Sequence, residues 1–214
     1  MALNKKQIKR LYRKRALNYD FTANLYYLIG FREQKYRHES VAMLNLKQGD
    51  TVLEIGCGTG LNFPILFKEI GNDGKVIGID LTDKMLEQAR NRVRKNKWDN
   101  FELINIDASE YVFEGEVNAV ISTFALTMIP EYEKIIRNIS RALEPGSRFV
   151  ICDFKKPEKY PDWVIDLGVF ITKPFGVSLD LGNRKPWKNM EKYFSKVEVK
   201  EIFSGFAYIA VGIV

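Results

Sequence analysis

Polar and apolar positions in this 214-residue chain change period several times, and the changes mark out its elements. Thr51, Val52, Leu53 and Ile55 predict a first strand that breaks at Gly56. Helical spacing runs from 61 to 70 and stops at Gly71-Asn72-Asp73-Gly74, a strong turn signal. Lys75 to Asp80 predicts a second strand, and Thr82 stands as the N-cap of a helix carrying Met85, Leu86, Ala89 and Val93. A third strand (101–106), a fourth (117–122) and a fifth (147–153) follow. Between the last two lies a helix over 131–143, its Ile135, Ile136, Ile139 and Leu143 turned inward and its end marked by Glu144-Pro145-Gly146. This alternation predicts right-handed βαβ units and a parallel sheet, with a ligand at the carboxyl ends of the strands and the first and fourth strands flanking the switch point. Two final strands, about 196–203 and 206–213, are joined by Ser204-Gly205, too short for a parallel crossover, so they form an antiparallel hairpin.

The flanking segments have other patterns. Residues 1–20 read as a basic amphipathic helix, with Ile8, Leu11, Tyr12 and Tyr19 on one side, Lys6, Lys9, Arg10 and Arg13 opposite, and Arg15 intruding on the apolar side. Such a helix can lie on an anionic membrane, contact nucleic acid, or fold onto its own domain with its charges facing water. Residues 19–40 are aromatic-rich and placed to cross the strand ends as a lid. Tyr19, Tyr26, Tyr27, Phe31 and Tyr36 either wall off a site or pack in the ordinary way. His38, between Arg37 and Glu39, suggests a polar helix surface, with catalysis as the alternative. Residues 155–190 carry four prolines together with Trp163, Phe170, Phe175 and Trp187, an insertion able to form the other wall of a substrate site. The chain thus divides into an N-terminal helix and lid (1–40) and a single α/β domain (41–214) bearing that insertion.

Composition sharpens this picture in three ways. The formal charge of +6 resides in residues 1–20, where seven Lys and Arg face Asp20 alone; the remainder balances at 26 basic and 26 acidic residues. An uncharged apolar run long enough to span a membrane is absent, since the best stretch, 163–179, is interrupted by Asp166 and Lys173, and the first residues lack a signal-peptide core. Cys57 and Cys152 have no metal-ligand spacing, so a reducing cytoplasm fits, with peripheral attachment to the inner face of the membrane if the first helix is an anchor.

The chemistry gathers at the strand ends. Gly56, Gly58 and Gly60 form G-x-G-x-G, a tight turn that lets backbone approach a ligand. Glu54 would repel a pyrophosphate yet suits an α-ammonium group. Asp80, ending the second strand, can accept both hydroxyl hydrogens of a ribose.

The run V-L-E-I-G-C-G-T-G closely resembles the glycine-rich motif of class I S-adenosylmethionine-dependent methyltransferases. F-A-L-T-M-I-P, followed by R-A-L-E-P-G-S-R-F-V-I-C-D-F-K-K-P, is similar to the ubiquinone/menaquinone C-methyltransferases and the bacterial phospholipid N-methyltransferases, and the Tyr19-Asp20 pair also looks like these families. The resemblance implies a Rossmann-like seven-stranded fold, mostly parallel with a C-terminal antiparallel hairpin, and S-adenosylmethionine as cofactor without a metal. It carries Glu54, Gly56, Gly58 and Gly60 to the methionine portion, Asp80 to ribose, Asp107 and Ala108 to adenine, and Thr123 and Phe124 to the wall beside the sulfonium. Cys57, Thr59, Leu81 and Met85 complete the cofactor-binding set. Departures are Gly146-Ser147 in place of Gly-Gly, and a C-terminal region (P-W-K-N-M-E-K-Y-F, G-F-A-Y-I-A) unlike that of the quinone enzymes.

Methyl transfer from a sulfonium needs a positioned neutral nucleophile rather than a covalent intermediate, and Tyr19 and Tyr27 are the residues assigned to positioning. Ser122 to Met128 lacks the Asp/Asn-Pro-Pro-Tyr pattern of nucleobase methyltransferases, which argues against nucleic acid. Together with the basic amphipathic pattern of residues 1–18, read as lying on anionic lipid, the resemblance implies N-methylation of an amine at a membrane surface, a phosphatidylethanolamine-type headgroup. Alternatives are C-methylation of a prenylated quinol precursor, methylation of a soluble small molecule, and a non-catalytic S-adenosylmethionine-binding protein.

Overall fold

The computed structural model describes residues 4–113, 115–157, 160–161, 163 and 179–214. Strands β1 (Thr51–Ile55), β2 (Lys75–Asp80), β3 (Phe101–Asn105), β4 (Ala119–Thr123), β5 (Arg148–Phe154), β6 (Lys196–Ile202) and β7 (Ala207–Ile213) form one seven-stranded sheet in the order β3-β2-β1-β4-β5-β7-β6. Pairings among the first five are parallel, and β7 runs antiparallel to both β5 and β6.

Alternation within the strands divides the core into two layers. Val52, Val76, Ile121, Val150 and Ile209 face α3 (Glu33–Ala42), α4 (Phe63–Ile70) and α5 (Asp83–Asn96), which contribute Val41, Leu66 and Leu86. Leu53, Ile77, Val120, Phe149 and Tyr208 face α6 (Tyr132–Ala142) and α7 (Pro186–Tyr193), with Ile136, Ile139, Trp187 and Met190. Both faces of the central strands are therefore covered, as a parallel sheet requires. Trp187 is part of this second layer, 4.5 Å from the Tyr208 ring, and not a wall of the site. At the outer edge, Lys196, Glu198, Lys200 and Glu201 of β6 are exposed, charges that disfavour pairing with another chain.

Element boundaries differ from the sequence expectation for identifiable reasons. The first helical pattern splits into α1 (Lys5–Arg15), capped by Asn4 and Gln7, and α2 (Tyr19–Leu25). α4 begins at Phe63 and not Leu61, because the Phe63 amide donates to the Gly60 carbonyl and closes a tight turn first. Thr82 does occupy the N-cap of α5, but its side chain makes no capping bond; its amide donates instead to Asp80 Oδ1. β4 starts two residues late, since Asn118 uses its side-chain oxygen to accept from the Thr51 amide.

Candidate active site

The strand order reverses between β1 and β4, so the connections after these strands leave toward opposite faces and open a crevice. A cavity partly open to solvent lies there, its space about 890 Å³ with the open solvent at its mouth included. Its floor is the turn after β1. Gly56 and Cys57 donate their amides to the Ile79 carbonyl, and the Gly58 amide donates to Asp80 Oδ2 at 2.9 Å. Gly56 sits at φ +67°, and an added Cβ would lie 2.4 Å from the Cβ of Ala125 in the turn after β4. Only glycine allows the two turns to approach this closely.

Of the cofactor-binding residues expected from the sequence, Gly56, Cys57, Gly58, Thr59, Asp80, Leu81, Met85, Asp107, Ala108, Thr123 and Phe124 all line this cavity. Glu54 and Gly60 are not on its wall. Gly60 packs against the Phe63 ring, and Glu54 is buried behind the wall, 1% exposed. Tyr19 lines the cavity, whereas Tyr27 is 69% exposed and stands outside it, so the structure does not bring Tyr27 to the site. Phe31 and Tyr36 are core residues, His38 is exposed on α3, and Trp163 is exposed. Phe170 and Phe175, and the side chain of Tyr26, lie outside the described residues.

Charge is distributed along the crevice. At the β3 end, Asp107 accepts from the Ser109 amide and hydroxyl, and Lys5 of α1 pairs with it at 2.7 Å and with Glu131 at 2.9 Å. Burial pushes the Asp107 carboxyl up, but the bonds from Lys5 and Ser109 outweigh it and hold the group below the usual carboxylate range. In the middle, burial raises the Asp80 carboxyl despite its bonds from the Thr82 and Gly58 amides. A carboxylate offers about four acceptor positions, so both oxygens retain capacity for ligand hydroxyls.

At the β4 end a buried network converges. Arg37 donates from Nε and Nη2 to Glu33 Oε1 (2.8 and 2.6 Å), and from Nη1 to Asn62 Oδ1 (3.0 Å) and Thr123 Oγ1 (2.6 Å). Asn62 donates in turn to Glu54 Oε1 (2.8 Å) and Thr123 Oγ1 (2.9 Å). Burial raises the Glu54 carboxyl to about 7, opposed by Arg37 and by the bond from Asn62. The polar helix surface expected at His38 holds for His38 itself, which is exposed, but not for its neighbour Arg37, which is 4% exposed and turned inward. Beneath its guanidinium lies the Phe124 ring, 5.2 Å away, on a backbone at φ +56° that bulky residues rarely adopt.

The N-terminal helix folds over this crevice. Ile8 and Tyr12 line the cavity, the Tyr12 hydroxyl donating to Met128 Sδ. Asp20 accepts from the Thr59 hydroxyl and from Arg92, which also bonds the Thr59 carbonyl, tying α2 to the glycine turn. Outward-facing Lys6, Arg10, Arg13 and Lys14 remain exposed, as do Leu17, Phe21, Tyr27 and Leu28 just beyond. Burial pushes the Tyr12 hydroxyl well above its usual value and that of Tyr19 up to about 12, so both are neutral phenols at pH 7. The Cys57 thiol, pushed up by burial, is likewise neutral.

Sequence reasoning missed Lys5, Ile8, Tyr12, Arg37, Leu61, Met128, Ile129 and Pro130 on the cavity wall. For Ile8 and Tyr12 the signal was the apolar face of the first helix. For Arg37 the local pattern gave none.

Over residues 46–192 the chain matches the family described as Methyltransferase domain. It belongs to this methyltransferase-domain family. The demethylmenaquinone methyltransferase of Listeria welshimeri is 32% identical over 130 residues, 60% of this chain and 55% of that protein. The demethylmenaquinone methyltransferase of Oceanobacillus iheyensis is 27% identical over 206 residues, 86% of this chain and 87% of that protein. Several other curated relatives are matched over about a third to just over half of their length. Among solved structures, phosphoethanolamine N-methyltransferase 2 of Haemonchus contortus in complex with S-adenosyl-L-methionine superposes with a TM-score of 0.63 at 24% identity, covering 78% of this chain and 38% of that one. The methyltransferase-domain family thus carries the class I fold, a mostly parallel seven-stranded sheet with an antiparallel end. Among the described residues, no helix is long and apolar enough to cross a membrane.

Proposed function

We propose that this protein is an S-adenosylmethionine-dependent methyltransferase that N-methylates an amine presented at a membrane surface, a phosphatidylethanolamine-type headgroup. The residues at the crevice fit that cofactor: a glycine turn with close backbone approach, the Asp80 carboxylate in mid-crevice for a ribose, and the Asp107 carboxylate at the β3 end for an adenine amine. When bound, the cofactor supplies an electrophilic methyl group on a sulfonium.

The observation that carries the acceptor assignment is the pairing of Tyr12 and Tyr19 on the cavity wall, ring centroids 6.1 Å apart, near Phe124. As neutral phenols, they offer lone pairs that orient an amine N–H while their rings favour a developing ammonium. The Tyr12 hydroxyl donates to Met128 Sδ, which fixes its orientation on the wall. The membrane assignment moves relative to the sequence expectation, because the apolar side of α1 is used by the cavity. Its exposed basic side, with Leu17, Phe21, Tyr27 and Leu28, is the surface suited to anionic lipid.

A second reading, C-methylation of a prenylated quinol precursor, is favoured by the demethylmenaquinone methyltransferase relatives. The two separate in one assay: labelled methyl transfer from S-adenosylmethionine to phosphatidylethanolamine in anionic vesicles, to a demethylmenaquinol, and to soluble phosphoethanolamine. Label in the vesicle lipid is expected. Label only in the quinol establishes the second reading, and no label in any acceptor, from protein that binds S-adenosylhomocysteine, makes the chain a non-catalytic binder.

A further inference from the structure

Beyond Phe124 the cavity wall is a short segment held from outside the cavity. Leu126–Met128 form a single 3₁₀ turn after β4, and Met128, Ile129 and Pro130 face the cavity from it. The segment starts on β5, where the Phe124 amide donates to the Cys152 carbonyl. At its centre is Thr127, 3% exposed, whose two backbone groups are taken by side chains of opposite charge. Its amide donates to Asp153 Oδ2 at 2.9 Å, and its carbonyl accepts from Arg184 Nη1 at 2.7 Å.

Both partners come from the C-terminal part of the chain, 26 and 57 residues on, and neither lines the cavity. Asp153 is 3% exposed, and burying a carboxylate is costly unless hydrogen bonds hold it. Its second oxygen accepts the Phe154 amide at 2.8 Å, so one side chain ties the turn to the end of β5. Arg184 stands at the neck of the 155–190 insertion. Its amide donates to the Leu181 carbonyl, and at Gly182 the chain passes so close to the start of the insertion that an added Cβ would lie 2.9 Å from Lys156 Cβ. Pro186 then opens α7, anchored in the second core layer by Trp187 and Met190. The guanidinium is thus presented from a fixed base, and hydrogen bonds with a charged partner are roughly twice as strong as neutral ones.

Met128, the residue after the gripped peptide, accepts the Tyr12 hydroxyl on its sulfur at 3.2 Å. We propose that Asp153 and Arg184 are positioning residues for the methyl acceptor: gripping Thr127 by its amide and its carbonyl, they set the place of Met128 and through it the orientation of the Tyr12 hydroxyl. The assignment rests on the methyltransferase reading with Tyr12 at the acceptor, and adds to it two residues that touch neither acceptor nor cofactor. It also gives the neck of the insertion a part in acceptor geometry.

The test is the kinetics of labelled methyl transfer to phosphatidylethanolamine in anionic vesicles, or to a demethylmenaquinol where the wild type labels that acceptor instead. S-adenosylhomocysteine affinity is measured by calorimetry on the same proteins. Arg184 is only half-buried, so its replacement spares the core. Arg184→Met should lower kcat about 10- to 100-fold, the effect of displacing an orienting group by about 1 Å, while acceptor KM and S-adenosylhomocysteine affinity change less than about threefold. Asp153→Asn, which offers one oxygen for two amides, should lower kcat in the same way. A double-mutant cycle then asks whether Arg184 acts through Tyr12: once Tyr12→Phe has removed the hydroxyl, adding Arg184→Met should cost less than about a further threefold. Losses that multiply in the double variant, an unchanged kcat in Arg184→Met, or a fall in S-adenosylhomocysteine affinity as large as the fall in kcat each overturn the assignment. Wild-type protein that labels neither acceptor overturns the methyltransferase reading itself, and the assignment with it.

Discussion

Lys5 Nζ lies 2.7 Å from Asp107 Oδ2, so the first turn of α1 is pinned to the carboxylate at the β3 end of the crevice. A second contact, to Glu131 at 2.9 Å, adds a partner on the other side of the crevice. Partly exposed ion pairs of this kind contribute about 0.2–1 kcal/mol each. Lys5→Gln should therefore raise the open population of α1 by roughly fivefold. Trypsin cleavage at Arg13, Lys14 and Arg15, followed by mass spectrometry, should accelerate by about that factor while the sheet stays protected. An unchanged cleavage rate would show that the other contacts of α1, Ile8, Tyr12 and the Arg13–Asp83 pair, suffice to hold the helix.

Asp80 does two things at once, accepting the Gly58 and Thr82 amides while facing the cavity. Asp80→Ala should reduce S-adenosylhomocysteine affinity at least about tenfold, given roughly 1.5–3 kcal/mol for each charge-assisted bond. Calorimetry on protein whose melting transition stays cooperative is the check; undiminished affinity there removes Asp80 from ribose recognition.

Glu54 makes stability depend on pH. Its folded carboxyl is raised to about 7 from the ordinary 4.5, so between those values the folded state holds a proton that the unfolded state has lost. The stabilisation from the neutral acid is complete below about pH 4.5 and is lost as pH rises through about 7. Asp153, buried and raised to about 6 despite bonds from the Thr127 and Phe154 amides, adds a slope of the same sign. Glu54→Gln keeps the acceptor for Asn62 without the titration. Relative to wild type, it should gain roughly 1–3 kcal/mol on going from pH 5 to pH 8, measured by urea unfolding at both values.

Gly56→Ala combines a left-handed backbone with a 2.4 Å approach to Ala125 Cβ. The conformation alone costs about 1–2 kcal/mol, and relieving the contact has to separate the two turns. A loss of at least about 2 kcal/mol in unfolding free energy is expected, together with weaker S-adenosylhomocysteine binding. A variant as stable as wild type would mean the turns can part without cost.

Most of the sheet was legible in the sequence because its strands alternate with helices and the central strands carry buried residues on both faces, as in β4, where all five residues are buried. The hairpin of β6 and β7 followed from a connection too short for a crossover, read as two residues and observed as the four from Phe203 to Phe206, although the insertion order, with β7 inside and β6 outside, did not. Residues fixed by backbone chemistry, Gly56, Gly58 and Asp80, were readable for the same reason: the turn type dictates them. Arg37 was not, since a buried arginine and a surface one have the same helical context. What separates them is Asn62 and Thr123, 25 and 86 residues away in the chain. The role of Tyr27 failed similarly, because a stretch rich in tyrosine does not say which rings turn inward.

The position of β7 bears on how the protein is made. β5 pairs on one side with β4 and on the other with β7, whose first residue comes about 50 residues later in the chain. At a synthesis rate of about 5–20 residues per second, the open edge of β5 waits roughly 3–10 s on the ribosome for its partner. The middle of that edge is Phe149, Val150, Ile151 and Cys152, fully buried once β7 arrives, with charge only at its ends, Arg148 and Asp153. Translation speed across this interval is thus a handle on yield, independent of how stable the finished sheet is.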